Sequence, residues 1–304
     1  MTSPAASPAR PAPRAPGRVL PFTKGHGTEN DFVFLFDPEG SIELDPATVR
    51  FLCDRRAGIG ADGVIRAVRA GHLEAGAGFA PDTWFMDYWN SDGSLSEMCG
   101  NGARVFAAFL EREAGEDFSG GVSIGTRGGE RTVRSLGGGQ YAVGMGAWAI
   151  PYAHDGADSR VRAPGITPRP GLSVDVGNPH TVVALGSQDE LTALDLSKPP
   201  RVEPEPPNGS NVEFVVPLGE VTVDGERRGV VRMRVHERGS GETRSCGTGA
   251  VAVALAVRAW GGDGAPWVWE VQVPGGVVVV RVSPETAVLE GPAALVASGE
   301  VTLP

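Results

Sequence analysis

Two short strings hold the chemistry that this chain could perform. MCGNGA (98–103) and SCGTGA (245–250) share the pattern C-G-x-G-A, and each sets a cysteine, Cys99 or Cys246, directly ahead of a glycine-rich turn. Behind each turn runs a segment that is apolar around nearly its whole circumference, NGARVFAAFL (101–110) and GTGAVAVALAVRAW (247–260). Length and alanine content favour helix over buried strand for both, and a helix of that kind must be buried. A cysteine at a helix start meets unpaired N–H donors and a partial positive charge, which bind anions and lower a thiol pKa. An ordinary thiol is about 3% ionised at pH 7, whereas one lowered to ~7 is about half ionised and suits a base. Two such thiols on opposite faces of one carbon would supply the base and the acid that stereoinversion needs.

A lone cysteine is more often an inert small hydrophobe. Here the context is duplicated. Cys99 and Cys246 lie 147 positions apart (246 − 99), and Asn30 in ENDF and Asn178 in GNPH lie 148 apart (178 − 30). Asn90 and Glu237 each stand nine residues before their cysteine, both in Gly- and Ser-rich stretches. Coincidences at one offset point to a duplicated domain. A pseudo-two-fold arrangement of the copies would aim both helix starts and both thiols into one cleft.

The elements around these helices read mostly as strands. DFVFLF (31–36), TWFMDYW (83–89), QYAVGM, HTVVAL, VEFVV, VVRMRV and VVVVRV are short, β-branched or aromatic, and bounded by Gly, Pro, Asn or Asp. DPATVRFLCDR (45–55) opens with an N-cap aspartate and Pro46, and Val49, Leu52 and Cys53 share one face, so a short helix is expected with Cys53 in the core. One buried helix per half, surrounded by short strands, is the resulting picture. The halves are expected to divide after GMG (144–146), and KPPRVEPEPPNGSN (198–211) reads as a long surface loop. ALVASGEVTLP is a last strand whose host sheet the pattern leaves open.

Composition bounds the partners. A chain of 304 residues, 41% apolar and 21% charged, is globular and long enough for two domains. Its net charge of −10 and pI near 5.1 speak against nucleic acid, which selects a basic patch. No apolar run is long enough to span a membrane. Residues 1–17 hold five prolines and five alanines without a secretory apolar core, which predicts a disordered tail and a cytoplasmic protein. Three cysteines without C-x-x-C or histidine at ligand spacing imply reduced thiols and no zinc. GIGADG (58–63) matches G-x-G-x-x-G but precedes the strand-like VIRAV, where a dinucleotide site would open a helix. His26, His72, His154 and His236 carry no comparable context, whereas His180 in GNPH and Glu237 in HERGSGE sit inside the repeat.

KGHGTENDF (24–32), RRAGIGADG (55–63), NSDGSLSEMCGNGAR (90–104), GNPH (177–180), GSNVEF (209–214) and HERGSGETRSCGTGA (236–250) together resemble diaminopimelate epimerase, in that family's order and over nearly the whole chain after residue 18. The resemblance implies an isomerase that interconverts LL- and meso-2,6-diaminopimelate on the route to lysine and peptidoglycan, without pyridoxal phosphate or metal. It implies an α/β (α+β) fold of two pseudo-symmetric domains, each a mixed sheet wrapped around a central buried helix. The terminal strand returns to the first domain, giving a tail at 1–18, a first domain of 19–146 plus 292–304, and a second of 147–291. Cys99 and Cys246 would be acid and base. Asn30, Asn90, Asn178, Asn211, Glu237 and Arg238 would hold substrate, and Gly100, Asn101, Gly247 and Thr248 would offer backbone donors to the reacting carboxylate. His180 and Glu237 would help set the thiol protonation states. A homodimer is implied as well. The sequence departs from the family pattern at Gly63, where some members have a substrate-contacting glutamine, and at Glu29, often a glycine. Proline and hydroxyproline racemases have a related motif with histidine where this chain has Asn101, which disfavours that branch. A binding module or thiol redox sensor would not need both thiol motifs together with the full polar set.

Overall fold

The structure is a computed structural model that describes residues 17–151 and 156–304. Most of the expected tail and His154 therefore lie outside the described residues. In the first half β1 (Val19–Gly27) and β2 (Asn30–Phe36) form a hairpin, α1 (Pro46–Cys53) crosses to β3 (Gly63–Arg69) parallel to β2, and β4 (Trp84–Asn90) returns antiparallel to β3. α2 (Gly100–Ala114) follows, then an antiparallel meander of β5 (Val122–Ile124), β6 (Arg131–Gly137) and β7 (Gln140–Ala147).

The second half repeats the plan. After β8 (Ser159–Arg162), the hairpin β9 (Arg169–Asp175) and β10 (Pro179–Ala184) leads through α3 (Gln188–Ala193) and β11 (Arg201–Glu203) to β12 (Asn211–Val223), which is parallel to β10. β13 (Glu226–Glu237) returns antiparallel to β12, and β14 (Gly241–Thr243) leads to α4 (Gly247–Gly261). A second meander closes the half with β15 (Val268–Val273), β16 (Gly276–Val282) and β17 (Thr286–Pro292). The last strand, β18 (Ala294–Thr302), pairs with β1 as β8 pairs with β9, which answers where it belongs.

The equivalent meander strands β7 and β17 pair antiparallel to each other, with Val143 opposite Leu289. That pairing runs the second sheet into the first half, giving thirteen strands among the described residues beside a five-stranded sheet β18-β1-β2-β3-β4. Each half is thus a mixed sheet around one helix. α2 packs on β1, β2, β3, β6 and β7, and α4 on β9, β10, β12, β13, β15 and β16, while β17 touches both helices.

Both helices are buried as their composition requires. On α4 the side chains of Val251, Val253, Leu255 and Val257 are all buried, each supplying about 1.5–3 kcal/mol of transfer free energy before entropy costs. α1 starts as read, with Asp45 Oδ1 accepting from Thr48 N at 2.8 Å and Pro46 in its first turn. Cys53 belongs to a separate core with Val33, Leu35, Val49 and Val64. Gly58–Gly63 forms the passage from α1 into β3, so it opens no helix. The expected surface loop at 198–211 needs one correction, because Arg201–Glu203 pairs with β8 as an edge strand. Its polar, proline-flanked sequence gives no local strand signal, and the pairing is long-range.

Candidate active site

The two cysteines are the N-caps of α2 and α4, with nearly matching extended backbone angles. Each sulfur accepts from the amide three residues on: Gly102 N at 3.3 Å from Cys99 Sγ and Gly249 N at 3.4 Å from Cys246 Sγ. A thiol thus stands where a serine or aspartate usually caps. The helix starts abut. A methyl group built on Gly247 would lie 3.3 Å from Gly100 Cα and 3.4 Å from Asn101 N. No side chain larger than hydrogen fits there without parting the helices.

A cleft of about 740 Å³ opens over this junction. Asn30, Asn90, Cys99, Gly100, Asn178 and Asn211 line it, and so do Glu237, Arg238, Cys246, Gly247 and Thr248. Of the residues singled out in the sequence, two lie behind it. Asn101 is fully buried, its Nδ2 donating to Asn30 Oδ1 (3.2 Å) and to Ser245 O (3.1 Å) across the seam between halves. His180 is buried too, with Nδ1 2.7 Å from Glu213 Oε1 and Nε2 3.0 Å from Asn178 Oδ1.

Second partners hold the amides in orientation. Asn30 Nδ2 donates to Asp62 Oδ2 at 2.8 Å, which turns Oδ1 toward Cys99 Sγ at 3.5 Å. Asp62 and Asp31 are clamped in turn by Arg55. Burial would raise Asp31, but the bonds from Arg55 and Lys24 hold it at about 2. Asn178 Nδ2 donates to Thr248 Oγ1 at 3.4 Å, and Asn211 Oδ1 accepts from Arg238 N at 2.9 Å. Arg238 itself is exposed at the cleft mouth, its Nη1 on Asn208 O at 2.5 Å.

The expected lowering of the thiol pKa does not appear. Burial pushes Cys99 up to about 11 against the donation from Gly102, and Glu237 adds to the rise. Burial pushes Cys246 well above its usual range as well, with Glu237 and Glu213 adding to it. Glu237 is itself raised by burial, although it accepts from Thr243 Oγ1. Helix-start donors are worth less here than the loss of water, so both thiols are raised. Among the described residues no group of three or more His, Cys, Asp or Glu could hold a metal ion. No helix among them is long and apolar enough to cross a membrane.

A family model described as Diaminopimelate epimerase matches residues 22–150 and 172–296. The chain belongs to the diaminopimelate epimerase family. The diaminopimelate epimerase of Streptomyces coelicolor is 47% identical over 290 residues, covering 92% of this chain and 95% of that one. That of Thermobifida fusca is 46% identical over 93% of this chain and 98% of its own. Among solved structures, a probable proline racemase from Agrobacterium radiobacter K84 superposes with a TM-score of 0.63 at 15% identity, covering 94% of this chain and 93% of that one. A phenazine biosynthesis protein of the PhzF family from Bacillus anthracis gives 0.64 at 14%, covering 94% and 100%. Those two share the fold alone. Family membership makes the chain an isomerase of the epimerase kind.

Two features of the site escaped the sequence reading. Glu213, in the GSNVEF string, backs His180, and its Oε2 has no partner. Ser245, directly before Cys246, bonds Thr28 Oγ1 at 2.6 Å and ties the β1–β2 turn to the second half. Thr28 and Glu29 in that turn both have positive φ (50° and 61°), a conformation that suits glycine. Glu29 is held there by an ion pair with Arg244. Gly63 is closed in, since a Cβ there would lie 2.5 Å from Trp89 O. A glutamine could not stand at that position without moving β4.

Proposed function

We propose that the protein interconverts LL- and meso-2,6-diaminopimelate by a two-thiol mechanism without a cofactor, serving lysine and peptidoglycan precursor synthesis. The observation that carries this reading is the junction of two cysteine-capped helix starts under a single polar cleft. The backbone N–H groups of the two starts suit the α-carboxylate, and the α-ammonium of the substrate brings a cation to the buried thiols. One sulfur, as thiolate, takes the α-hydrogen as a proton, and the C–H electron pair passes into the carboxylate as an enediolate-like carbanion. The other sulfur, as thiol, delivers its proton to the opposite face. The stereocentre inverts, and the thiol and thiolate exchange roles. Each oxyanion-type donor of this kind is worth about 2.7–4 kcal/mol.

Asn90, Asn211 and Arg238 line the same cleft and suit the distal amino-acid group of the substrate. Residues 19–146 with 292–304 form one domain in this reading and 147–291 the other, supported by β18 on β1 and by the repeated strand pairings. Incubation with LL-diaminopimelate, L-lysine and L-proline in deuterated water tests the assignment through α-hydrogen loss and chirality. Rapid exchange and inversion of diaminopimelate alone is expected. Comparable turnover of proline would move the protein to the racemase branch, whose fold it shares at low identity.

A further inference from the structure

The two thiols sit in equivalent places, yet their buried surroundings differ in charge. Arg104 lies five residues after Cys99 and is fully buried. The equivalent residue after Cys246 is Val251. Side chains on a helix lean toward its N-terminus, and the Arg104 guanidinium folds back to the level of the cap. Nη1 lies 3.5 Å from Gly100 O and Nη2 2.9 Å from Asn101 Oδ1. Its remaining partners are Thr28 Oγ1 at 3.5 Å and Pro292 O at 3.3 Å. All four acceptors are neutral, and among the described residues no carboxylate forms an ion pair with it. A buried cation without an anion is costly. Burial lowers the Arg104 pKa, and a negative charge on Cys99 opposes that fall.

We propose that Arg104 is a positioning residue whose buried charge holds the thiolate on Cys99 and leaves Cys246 as the thiol at the start of a cycle. On the Cys246 side the geometry offers no such cation. His180 donates from Nε2 to Asn178 Oδ1, because Asn178 Nδ2 is committed to Thr248, and its Nδ1 faces Glu213. The titratable groups facing Cys99 are Arg104 from its own helix, Glu237 from β13 and Tyr88 from β4. Those facing Cys246 are Glu237 and Glu213, and Glu213 is paired with His180 behind it. Glu237 lies near both sulfurs, so the difference between them lies in Arg104 beside Cys99 and Glu213 beside Cys246.

The inference rests on the two-thiol reading, but its test does not depend on turnover. Full-length protein is alkylated with iodoacetamide across a pH series, and mass spectrometry gives a midpoint for each cysteine. Midpoints are compared, since accessibility alters rates and leaves midpoints unmoved. In the unaltered protein Cys99 is expected to have the lower midpoint. In Arg104→Met it rises by about 1–2 pH units, the usual effect of a charge at short range, while Cys246 stays fixed. Arg104→Lys keeps the original midpoint to within about half that shift. A Cys99 midpoint unmoved in folded Arg104→Met overturns the proposal, as does an equal rise at both cysteines, which marks general loosening. If Arg104→Met does not fold, the order of midpoints in the unaltered protein decides, and Cys246 below Cys99 overturns it. Protein that fails to invert diaminopimelate while its Cys99 midpoint follows Arg104 would refute the functional reading and leave this inference standing.

Discussion

Replacing Gly247 by alanine tests whether the two helix starts are held against each other as tightly as inversion requires. The added carbon would lie 3.0 Å from Leu289 Cδ2, 3.3 Å from Gly100 Cα and 3.4 Å from Asn101 N. Optimal carbon contacts lie at about 3.5–4.0 Å. Leu289 can swing aside, but the other two atoms are backbone at the start of α2, so the junction must open by roughly 0.3 Å. A misplacement of 1 Å can cost about a hundredfold in rate, which scales to about three- to tenfold here. Stability has two opposing parts. Alanine gains about 0.8–1 kcal/mol of helix propensity over glycine, and overpacking costs about 1–3 kcal/mol. A net loss of about 1 kcal/mol is expected, seen as a fall of roughly 2–4 °C in melting temperature. The assay is α-hydrogen exchange with diaminopimelate in deuterated water beside a thermal melt, with Gly264→Ala as control, since nothing lies within 4 Å of a Cβ there. Unchanged kcat together with a raised melting temperature would refute the idea that this contact sets the spacing of the thiols.

Cys99→Ala and Cys246→Ala should each abolish inversion, and Cys53→Ala should retain it at a stability cost of about 1 kcal/mol or less; full inversion by either of the first two would sink the two-base scheme. Arg238→Lys should lose activity severely despite its charge, because an ammonium cannot pair two-pronged with a carboxylate; a change in KM below threefold would contradict that role. Burial raises Cys53 from 9.0 to about 12. The folded state therefore keeps a proton that the unfolded state releases, and the associated stability is complete below pH ~8.5 and lost as pH rises toward 12. Melting temperatures of the unaltered protein should accordingly fall relative to Cys53→Ala above pH 9, and parallel curves would count against it. Dialysis against a chelator should leave activity intact, and loss restored by added metal would overturn the cofactor-independent reading.

The chain's local chemistry settled a large part of this architecture. Two nearly all-apolar segments had to be buried helices, and Asp45-Pro46 had to start α1, because capping and solvent exclusion act within a few residues. The repeated C-G-x-G-A strings marked both caps for the same reason, and the motif order marked the family. Only the tertiary structure decided how the halves join. The return of β18 to β1 is already implied by the family resemblance, whereas β7 meets β17 through backbone pairing that leaves no side-chain signature and spans more than a hundred residues. The same holds for the seam in which Asn101, Thr28 and Ser245 interlock, and for the burial of Arg104 behind Cys99. Thiol acidity shows the division most plainly. Sequence fixes which sulfur caps which helix, a local donor effect that lowers pKa. Desolvation, which the packed surroundings impose, is larger and carries Cys99 to about 11.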